Sequence, residues 1–135
     1  MASTVLPQVY GNLKTTLYRD AALSNVAQLN ITGGAGRLHM IRANNAHGTH
    51  GAHLYLYDTD QVTVGTTLVD WCMYIPPNNK NLVFTLTDTD GAGVAFTSLS
   101  VCAVKDVSSS NGPGGTGSTV PTGNVLVEIV TTPSS

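Results

Sequence analysis

The residues most able to do chemistry lie in one short run, His47-Gly-Thr-His50-Gly-Ala-His53. Neutral imidazole is the commonest protein metal ligand, so His47, His50 and His53 are the candidate set for a Zn or Ni ion. Their spacing matches no structural zinc motif. On a strand, positions i and i+3 point to opposite faces, so a single strand cannot aim all three at one ion. Only a loop freed by Gly48 and Gly51 could gather them. A solvated or interface histidine loop is the simpler reading, and a metal-dependent enzyme built on it is the least supported class. In a symmetric assembly one of these histidines could instead face its mates on the axis.

Other polar clusters have plainer explanations. Asp58-Thr-Asp60 and Asp88-Thr-Asp90 lack the alternating acidic ligands and closing Glu of a calcium loop. Asp and Gly at such positions supply the local hydrogen bonds and positive φ of turns. Gly33-Gly-Ala-Gly36 has no following Lys-Ser/Thr and no helix behind it, so it does not cradle phosphate. No Gly-x-Ser-x-Gly elbow occurs. Cys72 and Cys102 fall in apolar strand patterns without an evident base and read as buried thiols rather than a disulfide pair. No catalytic group and no cofactor is expected.

The elements that must position these residues follow a period of two almost throughout. Strands are expected over 26–31, then over 37–43 with Leu38 and Met40 on one face and His39 and Ile41 on the other. In 52–57, Ala52, Leu54 and Leu56 alternate with His53, Tyr55 and Tyr57. In 68–75, Val69, Trp71, Met73 and Ile75 oppose Asp70, Cys72 and Tyr74, and Pro76-Pro77 stops the ladder. Leu82, Phe84 and Leu86 share a face in 81–87. One long strand is expected over 94–104 and another over 124–131. No segment reads as a helix of ten residues or more. Seven or eight short antiparallel strands with frequent turn signals imply an all-β chain, a single β-sandwich or jelly-roll-like domain.

The sandwich is expected to occupy 21–131, with a Ser/Gly-rich excursion at 108–123 and a tail at 132–135. Residues 1–20 form either an N-terminal arm or an edge strand. Val9, Tyr10, Leu13, Tyr18, Tyr55 and Tyr57 are the expected partner contacts, because tyrosine and apolar residues on an outward face or arm suit an interface.

Charged residues make up only 10% of the chain and the formal net charge is −2. A typical soluble domain has about 25% charged residues. No basic footprint points to nucleic acid, and no apolar run approaches the roughly 18 residues of a membrane span. Met1-Ala-Ser-Thr4 lacks a basic and then apolar leader, so synthesis in a cytoplasm without standard export is expected. Few Lys and Glu side chains also means a surface that orders at low entropic cost, which suits lasting contact with a partner.

One stretch resembles a known group. Ala22-Leu-Ser-Asn25, Ala52-His-Leu-Tyr-Leu-Tyr-Asp58, Val62-Thr-Val-Gly-Thr-Thr67, Tyr74-Ile-Pro-Pro77, Gly91-Ala-Gly-Val-Ala-Phe-Thr97 and Leu99-Ser-Val-Cys-Ala-Val104 together resemble small virion proteins of tailed bacteriophages, over about residues 21 to 106. The chain departs from their pattern at Val62 and Val69, where proline is common, and at Ser98, where glycine is usual. The shared positions are turns and core sites and include no catalytic residue. The resemblance implies a head decoration (cement) protein on the capsid exterior, with the major capsid protein as partner and a homotrimer as its assembly. The other reading it permits is a receptor- or glycan-binding module on a tail fibre or spike, using Tyr55, Tyr57 and the histidine loop.

Overall fold

The computed structural model of the protein describes residues 3–10, 13–86, 93–105, 121 and 124–133, with the backbone alone for residues up to 14. The described residues form nine strands and no helix: β1 (Ser3–Tyr10), β2 (Leu13–Leu23), β3 (Gly36–Asn45), β4 (Ala52–Asp58), β5 (Trp71–Ile75), β6 (Asn79–Thr85), β7 (Val94–Phe96), β8 (Leu99–Lys105) and β9 (Val125–Pro133). They make two antiparallel sheets. The larger runs β1-β2-β9-β3-β6, with β7 pairing β3 beyond β6, and the smaller runs β5-β4-β8. The chain is an all-β sandwich, as its alternation implies. Residues 1–20 supply β1 and most of β2, so this segment enters the larger sheet and β1 forms its edge. Pro7 sits on that edge strand, where a missing ladder donor is tolerated.

The two sheets bury one apolar layer between them. Leu38, Ile41 and Ala43 of β3 and Val125, Val127 and Ile129 of β9 meet Ala52, Leu54 and Leu56 of β4 and Val101 and Ala103 of β8. Trp71, Met73, Leu82, Phe84 and Leu86 pack against this layer from its flanks, and Tyr18 lies inside it at 3% exposure.

Four expectations are corrected. Leu38 and Met40 do not share a face: Leu38 is buried and Met40 is 36% exposed. The register against β9 jumps from Leu38↔Thr131 to Met40↔Val130, so His39 is an extra residue that turns the rest of β3 over. A one-residue slip moves every later side chain to the other face, which puts Ile41 and Ala43 inward. The apolar run 94–104 is two strands in different sheets, broken at Thr97-Ser98. Segment 26–31 is no regular strand. It lies along the outer edge of β8 through one isolated bridge, Gln28↔Val101, and leaves Val26 and Leu29 at least half exposed. Finally, β5 begins at Trp71, so Val69 precedes the pleat and packs on the opposite side from Trp71. The expected Asp88–Asp90 turn and 108–123 excursion lie outside the described residues, apart from Pro121. The expected tail at 132–135 begins inside β9.

Gly36 opens β3 where the strand is squeezed between β7 and β9. It pairs with Phe96 on one side and Pro133 on the other. A Cβ there would run into the Thr132 carbonyl oxygen and lie 3.1 Å from Phe96 Cζ. Because the first obstacle is backbone, relief needs strand movement. Gly36→Ala is expected to lower stability by about 1–3 kcal/mol, the usual cost of overpacking. Urea unfolding should show a lower midpoint at an unchanged slope.

Candidate interaction surface

The histidine run divides at the start of β4. His47 and His50 lie in the connection from β3, with ring centroids 5.0 Å apart. His53 is on β4, its ring 5.2 Å from that of Tyr74. His47 Nδ1 accepts the backbone N–H of His50 at 3.0 Å and of Thr49 at 3.2 Å, so that nitrogen organises its own loop. The loop is further pinned by buried Asn45, whose Nδ2 donates to the His50 carbonyl at 2.9 Å and whose Oδ1 accepts the His47 N–H. The Asn78 N–H closes it from the β5–β6 connection, donating to the His47 carbonyl at 2.6 Å. Among the described residues no three His, Cys, Asp or Glu side chains converge to hold a metal ion, and no cavity opens that could take a small ligand.

Tyr55 and Tyr57 are not surface groups. Their exposures are 0% and 1%, which corrects the expectation that they meet a partner or glycan. They point away from the main core, as alternation requires, but that face of the smaller sheet has its own lid. Residues 59–70 fold back over it and place Val62, Val64 and Val69 against Tyr55, Tyr57, Cys102 and Val104. A tight turn shapes the lid: Thr63 O accepts the N–H groups of Thr66 and Thr67, Thr67 Oγ1 accepts the Thr63 N–H, and Gly65 takes φ of 96°. Asp70 Oδ2 ties its end down by accepting the Asp58 N–H at 2.7 Å. Asp58 in turn holds the corner between the sheets, its Oδ1 accepting the N–H groups of Thr97 and Ser98. Buried Ser100 joins lid, sheet and edge segment, donating to the Thr59 carbonyl and accepting the Asn30 N–H. Among the remaining expected contacts, Tyr18 is buried, while the side chains of Val9, Tyr10 and Leu13 lie outside those described.

Among the described residues, no segment covers the outer face of the larger sheet. One row crosses it as Arg19↔Glu128, Glu128↔Arg42 and Arg42↔Val83, and the next as Leu17↔Val130, Val130↔Met40 and Met40↔Thr85. Glu128 Oε1 accepts Arg42 Nε at 2.6 Å and also Arg42 Nη2, while Arg19 Nε lies 3.7 Å from Glu128 Oε2. Arg42 Nη1 reaches Asn81 Oδ1 at 3.1 Å. An antiparallel sheet with one solvated face ordinarily turns polar residues outward. Here Leu17, Val130, Met40 and Val83 stand outward beside the ionic row. None of these was singled out by sequence reasoning. Alternation along β9 puts Leu126, Glu128 and Val130 on one face, but which strands flank it is set by long-range pairing that no local pattern encodes. Comparison with protein families, curated proteins and solved structures finds no match to the chain.

Cys72 is half-buried and Cys102 is buried. Each pairs in register with Tyr55, from opposite sides of β4. Burial pushes the Cys102 thiol up to about 11, against the smaller lowering effect of its contact with Tyr57. Burial also raises the Tyr57 phenol well beyond its usual range. Both groups are held neutral in the fold and ionise more readily once unfolded. The unfolded chain therefore binds fewer protons at alkaline pH, and stability must fall as pH rises from about 9 toward about 11. Urea midpoints across that range should decline, and Cys102→Ala should flatten the decline relative to its own value at neutral pH.

Proposed function

We propose that this chain is a non-enzymatic virion structural protein of a tailed bacteriophage. In this reading it is a decoration protein that binds the outer head surface and stabilises contacts between major capsid protein subunits. The observation that carries the reading is where the resembling residues lie. Four of the six resembling segments, residues 52–58, 62–67, 74–77 and 99–104, form β4, the lid, the end of β5 with its proline stop, and β8. They build one closed unit, a three-stranded sheet covered on both faces. The resemblance is thus to a scaffold whose parts contact one another, as opposed to scattered matching turns. The open outer sheet and the sparse charge suit a protein held against a larger body.

Such a protein acts by mass action. Binding across a joint between subunits favours the closed shell by RT ln(1 + [L]/Kd), about 2.7 kcal/mol per site at a hundredfold excess over Kd. A homotrimer is the assembly that fits threefold positions on a shell. The alternative, a receptor- or glycan-binding module at the tail, loses the Tyr55–Tyr57 platform to burial and, among the described tyrosines, retains Tyr74 beside the histidine loop.

Virions lacking the protein should lose infectivity at lower temperature or lower chaotrope concentration than complete ones, and added protein should restore them. Immunogold label should cover the head. Unchanged resistance, or label confined to the tail, would exclude the decoration role.

A further inference from the structure

The two sheets differ in how they meet solvent. The smaller sheet is sealed by its own lid, and exposed Asp58, Asp60 and Asp70 lie in and beside that lid. The larger sheet has no described segment across its outer face. There Arg19 and Arg42, 45% and 41% exposed, flank a single carboxylate, Glu128. Among the described residues of these two outer faces, the open side carries the guanidiniums of Arg19 and Arg42 with one carboxylate between them, and the lid side carries carboxylates. Met40 and Val83, at 36% and 49% exposure, place apolar surface in the same two rows. Arginine and methionine beside aliphatic groups is the composition enriched at protein–protein interfaces.

We propose that this outer face, Arg19, Arg42, Met40, Val83 and Val130, is the surface that docks a carboxylate-bearing protein surface of the shell. The inference rests on the decoration reading and names its contact face. Glu128 holds both guanidiniums in place before any partner arrives, so less side-chain freedom is lost on docking. Arg42 gives Glu128 its Nε and Nη2 and Asn81 its Nη1, and both arginines stay more than two-fifths exposed. Planar guanidinium donors match carboxylates in a two-point geometry. A second copy stacked face to face offers one carboxylate, Glu128, against two guanidiniums, and its own arginines already engage that carboxylate, which disfavours self-pairing here. The two rows carry no aromatic side chain on which bases could stack, which disfavours single-stranded nucleic acid.

The test uses heads lacking the protein, rebound with purified full-length chains and scored for occupancy against concentration. R19E, R42E and V83E should each bind at least tenfold more weakly, while D60K on the sealed side stays within twofold of the unaltered protein. Added salt should weaken the unaltered protein, as expected for exposed charge pairs. V83E breaks no ion pair, so it serves if R42E disturbs folding, and circular dichroism with urea midpoints confirms that each variant is folded. R42E and V83E binding like the unaltered protein would overturn the assigned face and leave the decoration role intact. Failure of the unaltered protein to bind heads would instead overturn the decoration role and the partner with it. Binding abolished by nuclease treatment, or variants that change sedimentation of the free protein rather than head occupancy, would replace the partner with nucleic acid or a second copy.

Discussion

The double-sided burial of β4 is the constraint on which the remaining architecture rests. Its inward residues, Ala52, Leu54 and Leu56, belong to the layer between the sheets, and its outward residues, Tyr55 and Tyr57, belong to a second layer beneath the lid. A strand hydrogen-bonded on both sides and apolar on both faces has nowhere to meet water. It needs β5 and β8 as neighbours, a facing sheet on one side and a cover on the other. Residues 59–70 are that cover, and Asp58 and Asp70 fix where it starts and ends. The corner at Thr97-Ser98 and the edge segment along β8 are anchored to the same unit through Asp58 and Ser100.

Much of this was legible from alternation. The two faces of β4, the inward set Leu82, Phe84 and Leu86, and the buried Cys102 all follow from a period of two. What escaped has identifiable causes. A bulge at His39 adds a residue without leaving a signature in composition, so Met40 came out on the wrong face. The run 94–104 has no turn residue stronger than Thr97-Ser98, so its corner was invisible. Tyrosine suits both an interface and a core, and the alternation of Tyr55 and Tyr57 could not show that a polar, threonine-rich connection would close over them. The outward rows of the larger sheet depend on β9 inserting between β2 and β3 across the length of the chain. That pairing brings Arg19, Glu128 and Arg42 together, and nothing local specifies it.

The consequence for function is a redistribution of the surface. The groups that first suggested recognition, the tyrosines and the histidine loop, are largely engaged in holding the protein together. Tyr57 contacts Cys102, and His47 and Asn45 close the connection between the sheets. The face that remains available is broad, mixed apolar and cationic, and carried by regular strands, which is better suited to another protein's surface than to a small ligand. A scaffold closed on one side and open on the other is consistent with a part that lies against a shell.

The claim that everything else requires is the sealed, two-sided burial of β4. Native-state hydrogen exchange measures it directly. The amides of Leu54, Tyr55, Leu56 and Tyr57 should exchange only through global unfolding, with opening free energies equal to the stability from urea denaturation. Exchange of these amides well below the global value, while β3 and β9 stay protected, would mean that the lid opens freely and would contradict the account.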